Sequence, residues 1–372
     1  MLVPKVRILI TSTEGVEYNF NYCVDGEIER NFEKLTQTAK FTIPNTYGVN
    51  NIENSLRSDN IKITDKIKKG SKVSIFLRFL YNDFEDKIKR SINPEVERFT
   101  GYISKVKPGY LASFECEDEM WKLKQTVFQG MAFPSSATVT GAITLKKLID
   151  YLKSKTGFTF DTNIADASDL GIIQVSPGNT FADVLDFIRN KYLILCYFKK
   201  GTLIMLKGNQ FVNNITKTFT FNGSDANITD KGSLEWQYID DIKLMIKYTC
   251  QVPMSGKADK KTTRYIYYDV SKTIRMSPTP PQGYNQIEHI TTNDLTEFDI
   301  LKNATQLLET VTYTGYKGEF STFGEPVMDF GDRVSIINQR YPELNSKELL
   351  IRAVKTTFGN KGYFQHLNIY GQ

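Results

Sequence analysis

The chain has 372 residues, 47 basic and 42 acidic side chains and a net charge of +5; apolar residues make up 40% of it and charged residues 24%. That composition excludes a disordered chain, a collagen and a helical membrane protein, because the longest wholly apolar run, Tyr192 to Phe198, is far short of the ~20 residues that cross a bilayer. So small and dispersed a charge does not mark a dedicated nucleic-acid binder, and Pro4, Lys5 and Arg7 keep the opening residues from reading as a signal peptide.

At roughly 100–200 residues per domain the length suggests two to four domains. Aromatic residues at 12%, with many β-branched neighbours, favour sheets. Residues 1–118 read as β. Strands are expected at Lys5–Ile10, Val16–Tyr22, Lys72–Tyr81, Arg98–Val106 and Leu111–Cys116, the last after a turn at Pro108-Gly109. The run Ser71–Tyr81 suits a strand buried on both sides or against a packed interface. Asn45–Lys69 and Asn82–Glu95 read as loops. Residues 119–210 change character. Leu145, Leu148, Ile149 and Leu152 follow the helical stripe, as do Phe181, Val184, Leu185 and Ile188. Thr144 and Gly157 bound the first helix; Thr180 and Asp183 form a capping-box pair for the second. With Phe158–Phe160, Tyr192–Phe198 and Thr202–Leu206 as strands, this is a small α/β unit with two helix–strand repeats. Residues 211–372 return to β. Ile242–Val252 and Thr263–Val270 flank a basic tip, Pro253–Thr262, expected to project as a mobile loop. Ser277–Tyr284 is a proline-rich break. One helix, about 294–310, carries Leu295, Phe298, Leu301, Leu308 and Val311 mostly on one face. Strands follow at Tyr313–Phe320, Arg333–Asn338, Glu348–Thr357 and Gly362–Tyr370.

Motifs for chemistry are missing from this pattern: there is no GxxxxGK[ST], GxGxxG, HExxH or GxSxG. Cys23, Cys116, Cys196 and Cys250 are all more than fifty residues apart, so no CxxC exists, and buried free thiols in a reducing compartment are the reading. Glu115, Glu117, Asp118 and Glu119 could pair as glycosidase carboxylates, but read better as a solvated turn capping a short helix at Met120. Asp240-Asp241 reads as a turn. Cys250 or Cys196 with His289 could form a peptidase-like pair without any supporting pattern. Lys66, Lys68, Lys69 and Lys72, or Lys257, Lys260 and Lys261, could touch nucleic acid but read as solvated loop tips. The expectation is therefore a chain with no catalytic residue, no metal and no cofactor. Gly101 inside a strand marks a bulge or close backbone approach. Gly315, Gly318, Gly324, Pro326 and Gly331 punctuate short strands joined by tight turns, the pattern of a small barrel or sandwich.

Three stretches carry a resemblance. They are Phe99-Thr-Gly-Tyr-Ile with Ser113-Phe-Glu-Cys-Glu-Asp-Glu-Met-Trp-Lys-Leu-Lys; Val175-Ser-Pro-Gly-Asn-Thr-Phe-Ala-Asp-Val-Leu-Asp-Phe-Ile with Tyr192 and Tyr197-Phe-Lys-Lys-Gly-Thr-Leu; and Gly318-Glu-Phe-Ser-Thr-Phe-Gly with Gly331-Asp-Arg-Val, Val354 and Gly362-Tyr-Phe-Gln-His-Leu-Asn-Ile-Tyr-Gly. In order and spacing they resemble the hub proteins of bacteriophage tails: the late control protein D of contractile phages, the central baseplate hub, and the front part of type VI secretion spike proteins. The resemblance implies a mainly β (α+β) fold with two tail-tube-type β-barrel domains, 1–118 and 211–372, flanking a small α/β insert, 119–210. It implies a structural signature of Gly101, Cys116, Asp118, Gly318, Phe323, Gly324, Gly331, Asp332 and Gly362. It implies a homotrimer that joins a hexameric tail tube to a trimeric spike, in the baseplate of a virion tail assembled in the bacterial host cytoplasm. The implied partners are the chain itself, the tail tube protein, the spike protein and the tape measure protein, with DNA only in transit and no membrane-spanning segment. No lysozyme domain or needle repeat follows the last barrel, so lytic or puncturing activity is expected on another chain. Two alternatives stand beside it: the front of a non-contractile tail-associated protein, and a peptidoglycan hydrolase or cell-wall-binding module.

Overall fold

Alternation of inward and outward side chains builds most of the molecule. The computed structural model describes residues 2–47, 61–82, 89–91, 95–127, 145–162, 178–192, 194–207, 216–222, 226–254, 257–292, 301, 304–305, 307–308 and 311–370. In Lys72–Asn82, Val73, Ile75, Leu77 and Phe79 are buried, and in Leu111–Glu117 the buried set is Ala112, Phe114 and Cys116. The first of these strands is therefore buried on one side; on its other side the Phe76 ring lies 4.0 Å under the Arg7 guanidinium. Several strands escape the sequence reading, two of them central to the large sheet. Thr38–Pro44 hides Ala39, Phe41 and Ile43, and Asp25–Asn31 buries only Gly26 and Ile28 among charged neighbours.

These strands form one large sheet of mainly antiparallel pairs. Its path runs Ile228–Asp230, Gly315–Phe323, Gly362–Tyr370, Ser346–Gly359, Asp25–Asn31, Thr38–Pro44, Leu111–Glu117, Val96–Lys107, Lys72–Asn82, Leu2–Thr11 and Glu17–Phe20, with side branches that bring it to fifteen strands among the described residues. The joint between the chain's two ends is a ladder from Ala353↔Asn31 to Gly359↔Asp25. Among the described residues no sheet closes on itself. It curls instead until the Phe79 ring stacks on Tyr363, with centroids 5.1 Å apart. The two regions share a strand order: Leu2–Thr11, Lys72–Asn82, Val96–Lys107, Leu111–Glu117, Thr38–Pro44 and Asp25–Asn31 neighbour one another in the first as Thr216–Phe221, Arg333–Asn338, Ser346–Gly359, Gly362–Tyr370, Gly315–Phe323 and Ile228–Asp230 do in the second. They differ in the direction of the first strand. Residues Leu2–Phe20 enter an antiparallel meander, whereas Thr216–Phe221 runs parallel to Arg333–Asn338.

Four main apolar clusters follow among the described residues. One lies inside the N-terminal strands and takes in Phe358 and Tyr363 from the far end of the chain. A second lies within the C-terminal strands around Phe219, Phe320, Ile336 and Leu367. The third packs the helices Leu145–Thr156 and Phe181–Tyr192 on a three-stranded sheet, Thr159–Thr162, Thr202–Lys207 and Ile194–Lys199. Its second helix opens as expected: Asp183 Oδ2 accepts from the Thr180 backbone N–H at 2.7 Å, and the Asp183 N–H donates to Thr180 Oγ1 at 3.2 Å. The fourth is separate from the large sheet. Ala304 and Leu308 cover Ile246, Tyr248 and Ile266 of a four-stranded sheet, Ile274–Ser277, Lys257–Tyr268, Leu244–Met254 and Asn285–Thr292.

The loop expected at Pro253–Thr262 is strand over its described residues. Its strands continue to Met254↔Lys257, because ladder pairing satisfies the backbone up to the turn. Of the expected helix 294–310, the described residues 301, 304–305 and 307–308 are helical; Leu295, Phe298 and its cap lie outside the described residues, as does Thr144. No helix among the described residues is long and apolar enough to cross a membrane.

Candidate functional site

A buried polar group lies where three of these clusters meet. It starts from a bulge. Ile75 pairs with Phe99 and Phe76 with Glu97, so Arg98 is the extra residue and turns inward instead of outward. Arg98 is 7% exposed. Its Nη2 donates to Thr356 Oγ1 at 3.1 Å and to Gln365 Oε1 at 3.0 Å, both on strands of the other end of the chain. Gln365 then holds a loop: its Oε1 accepts from the Met328 N–H at 3.0 Å, and its Nε2 donates to the carbonyls of Phe323 (3.2 Å) and Pro326 (2.9 Å). Leaving any of these buried atoms without its partner costs about 1–3 kcal/mol, which is what makes the group rigid. Beside it, partly open to water, Arg30 donates to Asp329 at 2.7 Å and ties the joint strand to the same loop.

Two buried carboxyls complete the group. Asp118 Oδ1 accepts from the Met120 N–H at 3.1 Å and Oδ2 from the Gln37 N–H at 3.3 Å. Burial pushes Asp118 up to about 8 and Asp332 up to about 6. Asp332 Oδ2 accepts from the Asp329 N–H at 2.8 Å. The groups surround a cavity of about 320 Å³ whose wall also takes Phe198, Lys199 and Lys200 from the α/β unit. An apolar contact fastens that unit in place: the Tyr197 ring meets Phe330 edge-on at 4.6 Å, with Leu206 buried beside them. The arrangement offers rigidity. Among the described residues, no three His, Cys, Asp or Glu side chains are placed to hold a metal ion.

The expected signature residues divide. Gly101, Cys116 and Asp118 sit together under this junction. A Cβ on Gly101 would overlap the Glu117 carbonyl, so the strand can pass the Asp118 turn only without a side chain. Gly331 and Asp332 reach the same junction from the other end of the chain, where the Gly331 N–H donates to the Ile351 carbonyl at 2.8 Å. Gly324 lies against the Tyr363 ring. Gly318 and Gly362 stand at φ of 104° and 113° on neighbouring strands, and Phe323, half-exposed, stacks on Phe364.

The acidic run Glu115–Glu119 does not converge. Glu115 pairs with Lys107 and Glu117 with Lys124 on the outer face. Asp118 does cap the short helix Met120–Gln125, but it is buried, not solvated, because the Gln37 backbone closes over it. Asp240, in a 3₁₀ turn, pairs with Lys272 at 2.7 Å. Cys196 is buried among the α/β core residues, on a different sheet from His289. In backbone register His289 faces Lys247 and Cys250 faces Thr292; the side chains of Cys250 and His289 lie outside the described residues. Cys23, Cys116 and Cys196 are free and buried, and burial raises each thiol. Lys68 donates to its own turn, to the Thr64 carbonyl at 3.0 Å. The side chains of Lys257, Lys260 and Lys261 lie outside the described residues.

A wider groove of about 620 Å³ crosses the outer face of the joint ladder. Ser321 and His366 share a hydrogen bond there at 2.8 Å, and burial, with Lys355 beside it, lowers His366. Its charges answer one another: Lys355 pairs with Glu27 at 2.7 Å and Arg352 with Glu33, while Asn368 donates to Glu319 at 3.0 Å. Sequence reasoning misses Arg98, Gln365 and the Arg30–Asp329 pair. The available signal is the pair Arg98-Phe99, which breaks the in-out alternation of its strand.

No family model matches the chain, and no curated protein matches it by sequence. Solved structures do resemble it along nearly its whole length. A tail protein from Neisseria meningitidis superimposes with a TM-score of 0.63 at 13% identity, covering 99% of this chain and 97% of that one. The 43 kDa tail protein of a Shewanella oneidensis prophage gives 0.58 at 12% identity, covering 98% of each chain. A prophage tail protein from Listeria monocytogenes gives 0.53 at 13% identity, covering 97% and 94%. The chain has the fold of these tail proteins.

Proposed function

We propose that this chain is a structural hub of a phage tail or related injection device, a symmetry adaptor between a hexameric tail tube and a trimeric spike. The observation that carries the reading is the pairing of that tail-protein fold with two large apolar cores in one chain, locked to each other by a ladder and a buried polar group. Three copies would present six such cores around a threefold axis, and a closed ring makes every subunit contact identical. On this reading residues 1–118 and 211–372 act as the two tube-type units and 119–210 as the insert between them. Gly101, Cys116, Asp118, Gly318, Phe323, Gly324, Gly331, Asp332 and Gly362 shape backbone rather than perform chemistry. The partners are further copies, the tube, the spike and the tape measure protein, with DNA passing through the channel, in the baseplate of a tail assembled in the host cytoplasm. The role is rigid packing without a catalytic side chain.

Light scattering on the protein alone and with its cognate spike protein tests it. The expected mass of the hub component is three times 42.6 kDa, at the latest once the spike is bound. A dimer, a hexamer, or a monomer that persists on the spike would overturn the reading. Clearing of purified peptidoglycan by the protein alone would favour the hydrolase instead. Alanine at Glu117, Asp118, Cys196, Cys250 or His289 is expected to change folding or assembly only.

A further inference from the structure

The junction holds two carboxyls that come from opposite ends of the chain and face one cavity. Asp118 ends the strand Leu111–Glu117; Asp332 precedes the strand Arg333–Asn338. Each is 3% exposed, and Asp332 Oδ1 has no hydrogen-bond partner. An acceptor so placed carries a proton cheaply and a negative charge at a cost, since a buried ion without a partner must recover water or be neutralised.

The surrounding charges come from every element that packs there. Arg30, from Asp25–Asn31, is committed to Asp329. Val96–Lys107 supplies Glu97 and Arg98, of which Arg98 is held by Thr356 and Gln365. The turn after Leu111–Glu117 adds Glu119, itself raised by burial, with Lys72 and Lys122 nearby. The α/β unit brings Lys199 and Lys200, and the loop before Arg333 brings Glu325, also raised by burial. For Asp332, burial dominates and the Asp329 carboxylate adds to it, against the Asp329 backbone N–H, Lys199 and Arg98. For Asp118, burial again dominates and Glu119 adds, against two backbone N–H groups and Arg30.

We infer that this junction is a proton-controlled joint: with Asp118 and Asp332 neutral the three units lock together, and as both ionise with rising pH the units loosen about the cavity. The direction follows from linkage. In the unfolded chain both groups ionise near pH ~4. Both are raised in the folded protein, so the stability they contribute is complete below that pH. It is lost as the pH rises, through about 6 for Asp332 and about 8 for Asp118. Opening the joint lets water reach Asp332 Oδ1 and lets Lys199 and Lys200 approach the new charges.

The test is thermal unfolding of the full chain, with amide exchange, from pH 5 to pH 8, in the wild type, Asp332→Asn, Asp118→Asn and the double variant. In Asp332→Asn the side-chain amide oxygen can still accept from the Asp329 N–H, and the group stays neutral at every pH. The wild-type melting temperature is expected to fall by roughly 5 °C or more over this range, with exchange rising first at residues 327–332 and 30–37. Asp332→Asn should flatten only the lower part of that fall, Asp118→Asn should reduce it over the whole range, and the double variant should remove both contributions. Variants that follow the wild-type curve overturn the inference. Should Asp118→Asn fail to fold, carbon-13 titration of the wild-type aspartate carboxyls decides. Midpoints for Asp118 and Asp332 above pH ~5 support the joint, and ordinary midpoints near ~4 overturn it.

Discussion

The two large cores differ in who supplies them. The cluster of the C-terminal strands draws every buried member from residues Phe219 to Ile369. The cluster of the N-terminal strands is incomplete without Phe358 and Tyr363, more than two hundred residues further along. Phe358 lies on Gly26, where a Cβ would overlap its ring. So one region owns its core and the other borrows part of it, which makes the first a platform and the second its dependant. Burial at about 25 cal/mol per Å² makes two aromatic rings a substantial share of a core that size.

The sharpest way to break this comparison is Phe358→Ala. It should cost about 3–5 kcal/mol and release amide protection mainly in Leu2–Thr11 and Lys72–Asn82, with Arg333–Asn338 less affected. Phe320→Ala should cost as much but open the C-terminal strands first; equal loss everywhere in both variants would refute the asymmetry. Gly101→Ala comes next, at about 3 kcal/mol in urea unfolding, because the added methyl meets backbone that cannot swing aside. Arg98→Met is expected to cost about 2 kcal/mol, leaving Gln365 and Thr356 short of a donor. Its specific sign is decoupling: the single unfolding transition should broaden or split, with the N-terminal strands melting first. The smallest effect belongs to a residue outside both cores. Asp183→Ala removes the capping partner of Phe181–Tyr192, should cost about 1 kcal/mol, and should leave both sheet regions untouched by exchange.

Legibility in the sequence tracks the strength of alternation and of capping. Leu111–Glu117 and Gly362–Tyr370 alternate cleanly, and Phe181–Tyr192 combines a helical stripe with a capping box; all three are where the sequence puts them. The joint strand Asp25–Asn31 is invisible to such a reading because its outward face is ionic and only Ile28 is a large apolar residue. Thr38–Pro44 carries a readable alternation in Ala39, Phe41 and Ile43, but it is short and runs straight into a polar stretch. The junction is half legible. Gly101, Asp118, Gly331 and Asp332 stand out as backbone-shaping positions. Arg98 does not, since it faces inward only through a bulge set by the register of a neighbouring strand. The separate four-stranded sheet merges into the last β region when read along the chain, because adjacency in sequence says nothing about which ladders join.

The borrowed strand has a consequence for the ribosome. Asn360 donates to Tyr22 Oη across 338 residues of chain, and the ladder beside it cannot form until that far end has been made. At about 5–20 residues per second, Asp25–Asn31 waits roughly 20–70 s after synthesis with one edge unpaired. An open strand edge left standing that long invites pairing with a neighbouring nascent chain. Glu27, Glu29 and Arg30 line it. The charges that hide this strand from the sequence reading would then act as its chaperone, repelling strangers until Lys355 arrives to neutralise Glu27.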